Sequence, residues 1–258
     1  MFQTLQISTE GSIGRLQLDR PEKLNPLSTE ALIEIAEAAR WFDQQPEVKV
    51  VIVGGAGRAF SAGADLSTFS GPNGPGALST REAAECGRTM ADALENMKAL
   101  SLARIQGWCV GGGLVLAAAC DLRIAAQDAR FSIPEVDLGI PLAWGGIPRL
   151  VREIGPAMTK ELVLTCRPFD AAEAKASGFL NRVVPSEDLD EEVDRLAQSL
   201  ASKARHTLLS TKQHVNAVTD QMVGTMRSWG DADGLVTAFG DEECKQARRK
   251  YLEKRPKS

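Results

Sequence analysis

The sequence predicts an α/β domain followed by a more helical region. Short apolar runs typical of strands alternate with amphipathic segments of helical spacing over about the first 200 residues. The chain has 258 residues, of which 43% are hydrophobic and 25% charged, the balance of an ordinary globular protein. We therefore expect a core over residues 1–200 and a helical C-terminal region over residues 201–258.

The first elements are a hairpin, a helix and a buried strand. Apolar runs at 5–8 and 13–18 are separated by a glycine-containing turn, which indicates a hairpin. Ser28 is placed to cap a helix whose apolar residues recur at helical spacing as far as Phe42. The run at 48–53 is almost entirely apolar and predicts a strand buried on both faces.

Small residues and prolines then interrupt the pattern. Residues 67–79 are rich in Gly, Pro and Ser and predict a mobile loop. A second amphipathic helix is expected from about residue 80 to residue 100. The next predicted elements are a strand at 102–105, a glycine-rich turn at 107–113, a helix at 114–119 and a strand at 121–125.

Charge and hydropathy argue against two classes of protein. Lys and Arg total 30 against 34 Asp and Glu, giving a formal charge of −4, so there is no overall basic field to attract nucleic acid. No run of about 18 apolar residues and no basic, then apolar, N-terminal segment occurs. We expect a cytoplasmic protein without a membrane span.

Cysteine and histidine patterns give no sign of a disulfide framework, a metal site or a nucleophilic hydrolase. The five cysteines are scattered without a Cys-x-x-Cys pair. The two histidines, His206 and His214, lie near the C-terminus, away from any recognisable nucleophile turn. Chemistry is therefore expected to depend on carboxylates and backbone amides.

Three segments carry candidate chemistry. Three consecutive glycines, 111–113, precede a predicted helix, where free amides and the helix dipole favour negative charge. A tight strand-to-helix turn is the alternative explanation, and the spacing does not match a dinucleotide-binding fingerprint. The small-residue loop at 59–66 could supply a second exposed amide, and two such amides would form an oxyanion hole. Glu135 follows Pro134 among apolar neighbours.

Segments 59–66, 107–121 and 131–139, in this order and spacing, resemble the crotonase superfamily of enoyl-CoA hydratases and isomerases. Further matching residues are Arg20-Pro21, Asn25, Thr165, 171–174, 178–181 and 251–255. The resemblance covers nearly the whole chain and is specific to the superfamily rather than to one reaction. It implies a spiral of repeated ββα units and a C-terminal trimerisation region that forms a homotrimer or a hexamer, a dimer of trimers.

The resemblance also implies site residues. The amides of Ala64 and Gly112 would hold the thioester carbonyl of an acyl-CoA, which is the substrate, with no cofactor or metal. The remaining substrate-binding residues would be Ala62, Asp65, Leu66, Gly111, Val115, Pro134, Ala143 and Trp144, with Tyr251 and Lys254 reaching the CoA of a neighbouring subunit.

One departure from the hydratases of the superfamily decides the predicted reaction. Hydratases use two glutamates to hold and activate water, and this chain retains Glu135 but has Val115 at the other position. A single base suits the transfer of a proton between the α- and γ-carbons of an enoyl-CoA, which moves the double bond. Ala143 and Trp144 would crowd the place of the catalytic water, although Trp144 could equally pack in the core.

Two alternatives stay open at the level of sequence. Glu135 alone could support slow hydration of an enoyl-CoA. The chain could also bind acyl-CoA without catalysis, because a single retained carboxylate is compatible with a binding protein.

Overall fold

The computed structural model describes residues 2–66 and 78–254 and shows the predicted α/β fold. Most of the predicted loop at 67–79 lies outside the described residues. The strands are β1 (Leu5–Glu10), β2 (Ile13–Leu18), β3 (Val50–Gly55), β4 (Leu100–Ile105), β5 (Trp108–Val110), β6 (Leu122–Ala126), β7 (Arg130–Ser132), β8 (Phe169–Asp170) and β9 (Arg182–Val184). The helices are α1 (Thr29–Phe42), α2 (Thr80–Glu95), α3 (Gly112–Ala118), α4 (Gly146–Thr165), α5 (Ala171–Ala176), α6 (Leu189–Ala201), α7 (Arg205–Val223), α8 (Asp231–Gly240) and α9 (Glu242–Glu253).

A six-stranded sheet forms the centre, in the order β1-β2-β3-β4-β6-β9. The β1–β2 hairpin is antiparallel, as predicted, and the other pairs are parallel. Every residue of β3 is buried because both faces of the sheet are covered. Val51 and Val53 join the core that includes α1, α2 and α3, whereas Val50 and Ile52 pack with residues of α6.

The first two helices begin at serine caps. Ser28 Oγ accepts a hydrogen bond from the Ala31 amide, which confirms the predicted cap of α1. Ser79 and Glu82 form a reciprocal capping box at the start of α2. The expected extension of α2 to residue 100 is wrong: the helix ends at Glu95, and β4 begins at Leu100, which pairs with Val50.

The glycine-rich segment contains a strand that the sequence analysis did not predict. Residues 107–113 were expected to form a turn, yet β5 occupies Trp108–Val110 and pairs in parallel with β7. The three residues between Gly107 and Gly111 are too few to show a strand period. With β8, these strands form a second, three-stranded sheet, and β5 leads directly into α3.

The C-terminal helices fold back onto the core. Leu235 and Ala238 of α8 pack with Leu138, Ile140 and Ala143. The described residues contain no helix long and apolar enough to cross a membrane. The cytoplasmic location and the boundary between residues 200 and 201 stay predictions.

Candidate active site

The loop at 61–64 is hydrogen-bonded alongside β5. The Ser61 amide donates to the Trp108 carbonyl at 3.1 Å, and the Val110 amide donates to the Ser61 carbonyl at 3.0 Å. On the other side of the loop, the Leu27 amide donates to the Gly63 carbonyl at 2.8 Å and the Asp65 amide donates to the Leu27 carbonyl at 3.0 Å. Because neighbouring amides of an extended chain point to opposite sides, the Ala64 amide faces away from Leu27.

The Gly112 amide is the second donor at this place. Gly112 is the first residue of α3, and the Leu114 and Val115 amides are the first to donate in this helix, to the Gly111 carbonyl at 2.9 and 3.1 Å. The Gly112 N–H therefore has no partner within the helix. Ala64 and Gly112 line one cavity. Within 2–66 and 78–254, neither amide donates to a protein acceptor.

Glu135 lies in the turn after β7, with its carboxylate against Gly111. A Cβ built on Gly111 would be 2.3 Å from Glu135 Oε1, so only glycine leaves room for the carboxylate in this position. Gly111 also has a φ of +49°, which glycine adopts without strain. Glu135 is buried, and its Oε2 has no hydrogen-bond partner among the described residues. Burial raises the pKa of Glu135 to about 7.

Two cavities meet at Glu135. The first, of about 40 Å³, is lined by Ala64, Gly112, Val115, Glu135, Ile140, Pro141, Leu142, Ala143, Trp144 and Leu235. The second, of about 30 Å³, is lined by Ala62, Gly63, Ala64, Leu66, Val110, Gly111, Pro134, Glu135, Leu138, Ile140 and Tyr251. Among these lining residues, Glu135 is the one carboxylate.

Val115 and Trp144 make the first cavity apolar beside the carboxylate. A Cβ on Gly146 would lie 2.9 Å from Val115 Cγ2, so the Val115 side chain packs directly on the start of α4. Trp144 lines the cavity and also packs against the core, which combines the two roles considered from the sequence. The apolar surroundings expected for Glu135 are therefore present.

The structure brings together the predicted site residues except Asp65 and Lys254. Asp65 lines neither cavity and forms an ion pair with Arg20 at 3.4 Å. Lys254 is exposed at the end of α9. Tyr251 lines the second cavity of its own chain, because α9 folds back over the Glu135 turn. A contact of Tyr251 with the CoA of a neighbouring subunit stays a prediction.

Sequence reasoning missed several residues of the walls. Ile140, Leu142 and Leu235 line the first cavity, and Gly87 of α2 lies against the Trp144 ring. An isolated glycine inside a predicted helix indicates close packing, so Gly87 could have been identified from the sequence. Leu235 could not have been identified in this way, because its position in the cavity wall depends on where α8 docks. In the part of the chain described, no group of His, Cys, Asp and Glu could hold a metal ion.

The family model described as enoyl-CoA hydratase/isomerase matches residues 8–258. The chain belongs to this family. Among relatives of the enoyl-CoA hydratase/isomerase chain, a crotonyl-CoA hydratase of Syntrophomonas wolfei is 32% identical, covering 98% of this chain and 96% of the relative. A peroxisomal Δ(3,5)-Δ(2,4)-dienoyl-CoA isomerase of Arabidopsis thaliana is 35% identical, covering 82% of this chain and 81% of the relative.

Solved structures of enoyl-CoA hydratase/isomerase family members share the fold. An enoyl-CoA hydratase from Mycobacterium avium subsp. paratuberculosis matches with a TM-score of 0.85 and 26% identity, over 95% of this chain and 98% of that chain. One from Geobacillus kaustophilus matches with a TM-score of 0.78 and 34% identity, over 100% of this chain and 98% of that chain. The resemblance to the crotonase superfamily is thus confirmed for both sequence and fold.

Proposed function

We propose that this member of the family moves the double bond of a 3-enoyl-CoA to the conjugated 2-position, with Glu135 as its single base. The observation that carries the proposal is the composition of the first cavity. Among the described residues that line this cavity, Glu135 is the one carboxylate, and Val115 and Trp144 form part of the apolar wall. The site thus supports proton transfer better than activation of water.

The reaction is a proton transfer in two steps. The Glu135 carboxylate takes a proton from the α-carbon of the substrate, so a C–H bond breaks and an O–H bond forms. The protonated carboxyl then returns the proton to the γ-carbon, which leaves the enzyme unchanged. A carboxyl with a pKa of about 7 can both accept and release a proton near neutral pH.

The negative charge that forms between the two steps lies partly on the thioester oxygen. We assign the amides of Ala64 and Gly112 to hold this oxygen, because both residues line the cavity that contains Glu135. Preorganised amide donors of this kind typically contribute about 3–4 kcal/mol each to lowering the barrier.

Hydration would require a second group that orients water. Val115 has no polar side-chain atom, and it packs against Gly146. Among the described side chains that line the first cavity, Glu135 is the one that could accept a proton from water. Because relatives of this chain are named as hydratases, slow hydration is the competing outcome of the experiment.

The CoA portion is assigned to the side of the second cavity. Ala62, Leu66 and Tyr251 line it, and it joins the first cavity at Ala64 and Glu135. Asp65 and Lys254 lie outside both cavities, and their contribution to CoA binding stays a prediction. CoA enters the proposed reaction as part of the substrate, without a further cofactor.

The experiment is incubation of hex-3-enoyl-CoA with the protein in deuterated water. Double-bond position is followed by NMR and label uptake by mass spectrometry, for the wild type, Glu135→Gln and the control Glu34→Gln. Conversion to the 2-enoyl-CoA that disappears in Glu135→Gln and persists in Glu34→Gln supports the proposal.

Two other outcomes overturn it. Accumulation of a 3-hydroxyacyl-CoA, also formed directly from crotonyl-CoA, would identify a hydratase. Binding of the thioester without change of bond position, hydration or label uptake would identify an acyl-CoA-binding protein.

We also propose that the chain assembles as a homotrimer or hexamer through its C-terminal region. Large apolar side chains are exposed at three- and four-residue spacing along α7 and the following turn: Val215, Val218, Met222, Met226 and Trp229. Val215, Val218 and Met222 lie on one face of α7, and Met226 and Trp229 follow its end. An exposed apolar surface of this kind is typical of an interface.

Sedimentation equilibrium tests the assembly. We expect a mass of three or six chains, reduced to that of a smaller species by Met222→Lys together with Met226→Lys. A wild type that sediments as a single chain at micromolar concentration would contradict the proposal.

A further inference from the structure

The cavity beside Glu135 is small, and Trp144 forms one of its walls. Its volume is about 40 Å³. Ile140, Leu142 and Leu235 complete the apolar lining. The space for an acyl chain among the described residues is therefore limited, and its apolar walls decide which chain fits.

Two glycines fix the position of the Trp144 ring. A Cβ on Gly87 would lie 2.1 Å from Trp144 Cδ2, and a Cβ on Gly112 would lie 2.2 Å from Cζ3. The indole is therefore inserted between the backbones of α2 and α3. A side chain larger than that of glycine at position 87 or 112 would leave the ring no room. It lies directly against the residue whose amide is assigned to the thioester oxygen.

The backbone of Trp144 is held in an unusual conformation. Its φ is +61°, which is sterically unfavourable for a bulky residue. Arg149 Nη1 donates to the carbonyl oxygens of Trp144 and Gly145 at 3.3 and 3.2 Å, and the Gly145 amide donates to Asp231 Oδ2 at 2.8 Å. Residues in such conformations persist where the surroundings fix them, and they cluster at functional sites.

The guanidinium that holds Trp144 is itself fixed. Arg149 is completely buried, and its Nη2 donates to Asp92 Oδ1 at 2.9 Å and to Glu95 Oε2 at 2.6 Å, both on α2. Helix α2 thus provides Gly87, against which the ring packs, and the carboxylates that orient Arg149. The wall formed by Trp144 is rigid rather than adaptable.

We propose that Trp144 is the specificity-determining residue that restricts this site to short acyl chains. The inference rests on the proposed function, since it takes the first cavity as the site of the acyl group. A rigid ring in the cavity wall excludes the distal carbons of a longer chain. Pockets discriminate in this way because each misplaced methylene costs about 10- to 200-fold in specificity.

The test measures binding of saturated acyl-CoAs by calorimetry, because thioesters without a double bond report on the cavity independently of catalysis. Butanoyl-, hexanoyl- and decanoyl-CoA are compared with free CoA. The proteins are the wild type, Trp144→Ala, Trp144→Phe and Trp41→Ala. Trp41 is a matched control, since it is half-buried like Trp144 but lies on α1 and lines neither cavity.

The wild type and Trp41→Ala should bind butanoyl-CoA at least tenfold more tightly than decanoyl-CoA. Trp144→Ala should reverse this preference, and Trp144→Phe should shift it part of the way while preserving an aromatic wall. Gly87→Ala should act in the opposite direction, because its Cβ would push the indole into the cavity and weaken binding of hexanoyl-CoA.

An unchanged chain-length profile in folded Trp144→Ala and Trp144→Phe would overturn the inference while leaving the isomerase proposal intact. If no acyl-CoA binds more tightly than free CoA to any variant, the first cavity is not the acyl site, and this inference fails with the placement on which it rests. Rates of isomerisation of hex-3-enoyl- and dec-3-enoyl-CoA distinguish failure of the proposed function from failure of this inference. A wild type that binds short acyl-CoAs without isomerising them overturns the proposed function alone.

Discussion

Glu34 and Glu135 are equally buried, at 8% exposure each, but they have opposite surroundings. Glu34 Oε1 accepts a hydrogen bond from the Gln3 amide at 2.6 Å. Its Oε2 accepts one from the Thr4 amide at 2.8 Å and one from the Thr4 hydroxyl at 2.5 Å. Glu135 lies among apolar side chains, and its Oε2 has no partner within the described residues.

The difference shows that burial alone does not decide the surroundings of a glutamate carboxyl. The Glu34 carboxylate accepts three hydrogen bonds and ties the N-terminal segment to α1. The Glu135 carboxyl instead holds its proton more tightly because it is buried, and its Oε2, which has no partner among the described residues, would be available to substrate.

The largest effect is expected for loss of the base. Glu135→Gln should lower kcat/KM for isomerisation of hex-3-enoyl-CoA by about 10²- to 10⁴-fold, because the amide cannot accept the proton. Glu34→Gln should leave kcat/KM within about twofold, since Glu34 lies away from both cavities. Comparable losses of kcat/KM in Glu135→Gln and Glu34→Gln would contradict a specific role of Glu135 as the base.

Displacement of the carboxylate should have the next largest effect. Gly111→Ala places a Cβ 2.3 Å from Glu135 Oε1, so we expect kcat to fall by about 10- to 100-fold. Gly11→Ala is the matched control: Gly11 has a φ of +56°, close to that of Gly111, but no atom lies within 4 Å of its added Cβ. Equal kcat values for the two variants would exclude displacement of Glu135 as the cause.

Replacement of Glu34, whose carboxylate accepts hydrogen bonds, should reduce stability rather than activity. Glu34→Ala leaves the buried amide of Thr4 and its hydroxyl without their acceptor. We expect the free energy of unfolding to decrease by about 2 kcal/mol, measured by urea denaturation. An unchanged midpoint and slope would mean that these hydrogen bonds contribute nothing to the fold.

Activity should follow the ionisation of Glu135. The base acts when deprotonated, and the pKa of its carboxyl is raised to about 7. The kcat/KM should therefore be constant at alkaline pH and fall about tenfold for each pH unit below 7. A profile that is flat from pH 5 to 8 would contradict a single base with a raised pKa.

The same pKa predicts a gain in stability for Glu135→Gln. Because the folded-state pKa lies above the unfolded one, the neutral form favours folding below the unfolded pKa, and this contribution is lost as pH rises through about 7. Glu135→Gln avoids that loss, so it should be more stable than the wild type by about 3 kcal/mol at pH 8, with the difference shrinking toward pH 5. A difference that grows toward pH 5 would have the wrong sign.

Local patterns in the sequence predicted much of the fold and the apolar surroundings of Glu135. The hairpin, the Ser28 cap and buried β3 follow from spacing and polarity that act over a few residues. The apolar surroundings of Glu135 were predictable because Val115 and Pro134 belong to recognisable motifs. The Ala64 and Gly112 pairing came from the family resemblance and agrees with the loop lying along β5.

The remaining features depend on contacts between distant parts of the chain. Strand β5 exists because β7 pairs with it, and its three residues carry no pattern of their own. The positions of Leu235 and Tyr251 depend on the docking of α8 and α9, which no local rule specifies. The ion pairs of Arg149 with Asp92 and Glu95 join residues more than fifty positions apart.

The most direct test of the account is a titration of the Glu135 carboxyl. In protein labelled with ¹³C at the glutamate carboxyl carbon, the signal absent from Glu135→Gln identifies the residue. We predict a midpoint near pH 7 for this signal, because burial disfavours the charged form. A midpoint near 4, the ordinary value of a glutamate, would contradict the account of Glu135 as a base adapted to neutral pH.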